Sequence, residues 1–295
     1  MTQSGNFIRI LGRIFVAIIS SAVLLGGCKG GLHKPMPICA GKGSAGEAIV
    51  ALRSQAEKAA PLRATGTCRL EYYTEDKRRP EKEAFPVRLW MNPPSEISLH
   101  GDVAFDPRGV ILGANRDEFW LAIKPKISSY WRGRWSDGDK VQTLILNPKI
   151  VLEAVGIVAL SGDEPERGDW SLTNKGPYDI LTRRDEEGLI SKRIYVCSCD
   201  YLVRKIEYFD EFGLVAVAAE LDDYEEVVEG FKVPRYIKVV RRGERGRDDS
   251  VRISLKSVKP MSFNQKQLDA LFQAQPGRFE HVYEIVNGEW VEQPQ

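Results

Sequence analysis

The sequence predicts an α+β fold, mainly antiparallel β, with a few helices laid against a sheet. Three observations carry that expectation. Apolar and polar residues alternate with period two in segment after segment, as in Val251, Ile253 and Leu255 against Arg252, Ser254 and Lys256. Strands with one apolar and one solvated face read this way. A capping motif opens an amphipathic helical stretch ahead of the first of these segments. The composition, 43% hydrophobic and 28% charged over 295 residues, is that of a globular chain able to bury its own core.

The elements follow in order. Ser44-Ala45-Gly46-Glu47 has the spacing of a capping box, and Ile49, Val50, Leu52, Ala56 and Ala59 continue it with helical periodicity. This predicts a helix over residues 45–59 whose apolar stripe covers a sheet. The period then changes to two: Cys68, Leu70 and Tyr72 alternate with Thr67, Arg69 and Glu71. Phe85, Val87, Leu89 and Met91 repeat the pattern, as do Ile97, Leu99 and Val103, and then Phe119, Leu121 and Ile123 after an Asn115-Arg116-Asp117 turn. Asn147-Pro148 marks a second helix, with asparagine at the cap, proline at the first helical position and Gly156 as the stop. Further strands are expected at 178–183, 190–197, 201–209, 214–221, 231–240 and 251–258. The charged run 241–249 reads as an exposed hairpin loop, 264–272 as a terminal helix, and 273–295 as a C-terminal tail.

Residues 1–27 read as a secretory address, with an uncleaved N-terminal membrane helix as the alternative. Arg9 and Arg13 are the only charges, Ile14–Leu25 is an unbroken run of 12 apolar or small residues, and Gly26-Gly27 precede Cys28. The run is too short for a stable spanning helix, which needs ~20 apolar residues. Residues 28–43, with four glycines and two prolines among 29–43, read as a flexible tether. The folded domain is therefore expected over 44–272.

Charge and residue stock exclude several functions. Lys plus Arg number 42 against 41 Asp plus Glu, and no basic face or zinc-finger spacing points to nucleic acid. The three histidines, His33, His100 and His281, form no ligand or triad spacing, and no Gly-x-Ser-x-Gly elbow is present. Neither an enzyme nor a cofactor or metal site is expected. Of the five cysteines, Cys39, Cys68, Cys197 and Cys199 remain if Cys28 is modified, an even number for an oxidising compartment. Cys197 and Cys199 point to one face of a strand, so they either stay as buried thiols or pair elsewhere, with Cys68 as one partner in reach.

Leu25-Gly26-Gly27-Cys28 resembles the lipobox of bacterial lipoproteins. The resemblance implies diacylglyceryl (and palmitate-type) acylation at Cys28, removal of the signal peptide and anchoring in a membrane. Lys29 in place of aspartate favours the outer membrane, facing the periplasm. The order of elements resembles the LolA/LolB-like superfamily of periplasmic lipoprotein carriers. Leu62-Arg63-Ala64-Thr65-Gly66-Thr67, Met91-Asn92-Pro93-Pro94 and Gly230-Phe231-Lys232-Val233-Pro234 carry that likeness. It implies a curved half-barrel with covering helices, whose apolar cavity binds lipid or lipoprotein acyl chains. Pro234 within a strand fits such curvature, since it calls for an edge or a bulge. The alternative is an envelope sensor or protein-interaction module on the same fold. The family's receptor members carry an apolar tip on an early loop, whereas Asp76-Lys77-Arg78-Arg79-Pro80 is polar.

The residues expected to line the cavity are Leu70, Tyr72, Val87, Leu89, Ile97, Leu99, Phe119 and Leu121; a filled core is the competing reading of the same pattern. Trp120, Tyr130, Trp131 and Trp135 interleave with Lys124, Lys126, Arg132 and Arg134. They form either a cross-strand aromatic ladder or a surface for headgroups or bases. Asp222-Asp223-Tyr224-Glu225-Glu226 reads as a solvated turn. The implied partners are a membrane through Cys28, a lipid or acylated protein, and an envelope protein.

Overall fold

Among the described residues the alternating segments pair into one fifteen-stranded sheet. The computed structural model describes residues 36–73, 79–103, 106–124, 128–135, 150, 153, 169–243, 246–274, 277, 279–286 and 289–294. The strands are β1 (Leu62–Tyr72), β2 (Glu81–Asn92), β3 (Glu96–Val103), β4 (Asp106–Ala114), β5 (Glu118–Ile123), β6 (Ser129–Arg134), β7 (Trp170–Lys175) and β8 (Tyr178–Arg184). They continue as β9 (Ile190–Cys197), β10 (Val203–Phe209), β11 (Val215–Val228), β12 (Phe231–Arg241), β13 (Asp249–Pro260), β14 (His281–Val286) and β15 (Glu289–Glu292). Their spatial order is β15-β14-β6-β5-β4-β3-β2-β1-β13-β12-β11-β10-β9-β8-β7. Neighbours are antiparallel apart from β14, which lies parallel to β6, with His281 opposite Ser129 and Tyr283 opposite Trp131. The sheet is open and curved, with β15 and β7 as its edges.

Two meanders thus meet where β1 joins β13. The joint is bent by a register shift between Thr65 and Gly66. A Cβ on Gly66 would sit 2.2 Å from the Ser254 carbonyl oxygen, so only glycine permits this approach. Pro234 lies in β12 opposite Tyr224, outside the stretch 236–241 that pairs with β13, where its missing N–H costs no ladder bond.

Strands escaped the alternation test for identifiable reasons. In β4 the run Val110, Leu112 and Ala114 is buried on one face, while the other face carries Ile111 and Gly113 under further structure, so no polar alternation shows. The same holds for β6, where Tyr130 is buried and Trp131 is partly buried. β7 is a mostly exposed edge with polar residues.

Helix α1 (Ala45–Ala56) has Ser44 as its N-cap, accepting from the Glu47 N–H at 3.2 Å. The reciprocal half of the expected capping box goes one residue further back, the Glu47 carboxylate accepting from Gly43 N–H at 3.1 Å. Ala48 and Leu52 are buried as α1 packs against β7 and β8. Helix α2 (Gln265–Leu271) has a complete capping box between Asn264 and Gln267. Of the predicted 147–156 helix, Ile150 and Glu153 are helical and buried; the rest lies outside the described residues. The lipobox with Cys28 and most of the polar 76–80 loop also lie outside them.

Two expected boundaries shift. Residues 38–295 form one compact unit, so the end of the predicted tether belongs to the domain. Cys39 is disulfide-bonded to Cys199, Cys39 N–H donates to Ser198 Oγ at 3.3 Å, and Lys42 N–H donates to the buried Asp179 Oδ2 at 2.8 Å. At the other end, residues beyond Phe272 add β14 and β15 to the sheet.

Candidate functional site

Alternation places Leu70, Val87, Leu89, Ile97, Leu99, Phe119 and Leu121 on one face of β1–β5, each 7% exposed or less. They belong to one continuous apolar cluster that crosses the β1–β13 joint to Ile194, Ile206, Ile237 and Ile253. Tyr72 is at its margin, half-buried, its hydroxyl donating to Glu83 Oε1 at 3.3 Å. The eight residues expected together are together on the core face, at the level of which face each one occupies.

Inside that apolar face sits a polar group that sequence reasoning missed. Lys192 in β9 occupies a core-facing position, and its Nζ lies 2.7 Å from Glu153 Oε2, with both side chains buried. The Tyr208 hydroxyl donates to the same carboxylate, and the Lys192 ammonium lies 5.5 Å from the Tyr208 ring centroid. A lysine looks exposed in a sequence; the signal was its place on the same strand parity as Ile194 and Val196. The pair fastens a helical residue to the sheet through an interaction that is strong only while both partners are present.

The aromatic cluster divides instead of forming a ladder. Trp120 lies opposite Arg132, and Leu121 opposite Trp131, so aromatics do not face one another across β5 and β6. Trp120 and Tyr130 occupy the outer face with Phe279, while Trp131 and Trp135 pack on the core side. Their ring partners come largely from the C-terminal segment: Tyr130 stacks on Phe279 at 5.3 Å, Trp131 on Tyr283 at 5.7 Å, and Phe119 meets Trp290 at 6.3 Å.

The acidic run 222–226 is a stretch of β11, not a turn. Asp223 adopts a left-handed conformation (φ 55°), and Arg235 across the strand pair binds Asp223 Oδ2 at 2.7 Å and Glu225 Oε2 at 3.5 Å. The Tyr224 hydroxyl donates to the Val203 carbonyl, which makes the run part of a structural kink in the strand.

The cysteines resolve differently from the Cys68 pairing considered. Cys199 lies in the turn after β9 and bonds Cys39, while Cys68 and Cys197 are buried free thiols. Burial pushes the Cys68 thiol up to about 12, which makes it inert as a nucleophile. Among the described residues no cluster of histidine, cysteine and carboxylate groups could hold a metal, and no helix is long and apolar enough to cross a membrane.

No protein-family model and no curated protein matches the sequence. Solved structures do match. A domain designated an outer membrane lipoprotein-sorting protein from Vibrio parahaemolyticus superposes with a TM-score of 0.52 at 11% identity, covering 76% of this chain and 95% of that one. A DUF1329 family protein from Desulfovibrio piger gives 0.52 at 13% identity, covering 77% and 95%. A LolA superfamily protein from Nitrosomonas europaea gives 0.49 at 13%, covering 75% and 95%. The first two carry the comparison, and what they share with this chain is the fold.

Proposed function

With a LolA-like domain as the body of the chain, we propose that it is a membrane-anchored envelope lipoprotein that binds lipid or lipoprotein acyl chains against its core face. The observation that carries this reading is the continuous apolar face from Leu70 to Leu121 on a lipoprotein-sorting-type fold. Each methylene buried there would contribute ~0.8 kcal/mol, so a single acyl chain supplies its own driving force and no cofactor is required. In this reading Cys28 carries the anchor, the signal peptide is removed, and the domain stands at the outer membrane facing the periplasm.

The test is direct. The purified full-length protein is expected to yield co-purified lipid on extraction and mass spectrometry, and to bind a palmitoylated peptide but not its unacylated twin. Absence of both lipid and acyl-dependent binding would remove the proposal. The anchor is tested separately: Cys28→Ser is expected to end palmitate labelling and release the protein from membranes.

A second reading, an envelope sensor or interaction module, is favoured by Phe212 and Leu214. They stand 78% and 52% exposed at the β10–β11 turn, away from the core face. Phe212→Asp would then lose a cross-linked envelope partner while keeping acyl-peptide binding.

A further inference from the structure

We propose that the outer face of β3–β6, roofed by the C-terminal segment, is a binding site for a small anion with an apolar or aromatic body. It lies on the side of the sheet opposite the face assigned to acyl chains and does not depend on that assignment.

The alternation that sends Leu99, Leu112 and Leu121 inward sends His100, Ile111, Trp120 and Tyr130 outward. An outward face of this kind is ordinarily solvated, yet Trp120 is 3% and Tyr130 2% exposed. Phe279 and the end of α2 cover them. The Asn115 amide donates to the Phe272 carbonyl at 3.0 Å, tying that roof to the β4–β5 turn. Gly113 leaves the sheet flat enough for the Trp120 ring, since a Cβ there would lie 2.2 Å from it. Between sheet and roof a cavity of about 220 Å³ remains.

Among the described residues its lining holds two permanent cations, Arg108 and Lys124, and no carboxylate. Neither head group has an ion-pair partner among the described residues. The carboxylate beside Arg108 is already engaged, because Asp102 Oδ1 accepts from Arg88 at 2.9 Å and from the Arg108 backbone N–H at 3.0 Å. Lys124 sits 5.8 Å from the Phe279 ring centroid, at the edge of the aromatic roof. His100 adds a neutral imidazole: burial and the nearby Arg108 and Arg88 lower its pKa to about 4.

The decisive group is the Tyr130 hydroxyl. It is buried, it belongs to the lining, and it has no hydrogen-bond partner among the described residues. An unpaired buried hydroxyl costs free energy and is retained where something completes it. A donor at the floor, two cations at the mouth and aromatic walls match an anionic group attached to an apolar body. Phosphate esters have that chemistry, either as lipid headgroups or as soluble esters.

The experiment is calorimetric titration of the full-length protein with phenyl phosphate, with inorganic phosphate and phenol as the two halves of the probe. Phenyl phosphate is expected to bind at least about tenfold more tightly than either half. Arg108→Gln and Lys124→Gln are expected to weaken it about tenfold, and Tyr130→Phe about fivefold. Tyr130→Phe is further expected to leave thermal stability unchanged or raised, because the hydroxyl it removes has no partner to lose. A merely structural tyrosine would show the reverse split. Soluble dihexanoylphosphatidylglycerol separates the sources: tighter binding than phenyl phosphate supports a headgroup, the opposite order supports a soluble ester. No heat of binding with any probe, or equal binding by all three variants, overturns the proposal.

Discussion

At the scale of single residues, parity along a strand is the most legible feature of this chain. Seven of the eight side chains expected to line a cavity are buried on one face, and Tyr72 is at its margin because its hydroxyl keeps Glu83 company near water. What parity cannot show is what happens on the other face. His100 alternates as a solvated residue, yet it packs edge-on against Trp90 at 5.0 Å and contacts Ser98 Oγ at 3.1 Å. Burial, with Arg108 and Arg88 adding to it against the opposing Asp102, lowers its pKa from 6.5 to about 4. An unfolded histidine takes up its proton near 6.5, so below that pH the unfolded chain holds a proton that the native chain lacks. Stability therefore falls as pH drops from 6.5 towards about 4, and this contribution is flat above that window. His100→Asn is expected to flatten that acid limb in urea midpoints measured across it; an unchanged slope would assign the limb to other groups.

At the scale of elements, strands whose apolar residues keep period two were legible, β5 among them although both of its faces are buried, and β4 and β6 were not. β4 and β6 lack polar alternation because the C-terminal segment covers their outer side, a long-range fact no local window contains. The cap at Ser44 was legible, since it is local chemistry. The joining of Glu153 to Lys192 was not, because the two are brought together only by the fold. The pair is buried and shared with the Tyr208 hydroxyl. Lys192→Met leaves a buried carboxylate unpaired and is expected to cost about 3–5 kcal/mol in chemical denaturation. Adding Glu153→Leu is expected to recover most of that loss. Two single losses that simply add would mean the groups do not act as a pair.

At the scale of the whole molecule, strand type was readable but strand order was not. Neighbours in sequence pair within each meander, while the β1–β13 joint connects Leu62 with Pro260 and has no local signature. The same distance defeats cysteine arithmetic: Cys39 and Cys199 are 160 residues apart, and only the docking of residues 38–43 beside the β9 turn brings them together. Closing so long a loop is worth on the order of 4–5 kcal/mol in the chain-entropy account. Reductant is accordingly expected to lower the melting temperature of the native protein by several degrees. Alkylation after denaturation without reductant should label Cys68 and Cys197 but spare Cys39 and Cys199. Labelling of Cys39 under those conditions would contradict the bridge.

The parallel seating of β14 on β6 bears on how the protein is handled and how it would fail. β6 pairs with β5 on one side and with residues 281–284 of β14 on the other. A chain shortened to Phe272 would present Ser129–Arg134 as an open ladder, and would uncover Phe119 where Trp290 now meets it. Such an edge is a template for another copy of the same strand. β14 and β15 move the open edge of the sheet from β6 to the shorter β15, which makes the C-terminus the end to leave whole in any shortened version of this protein.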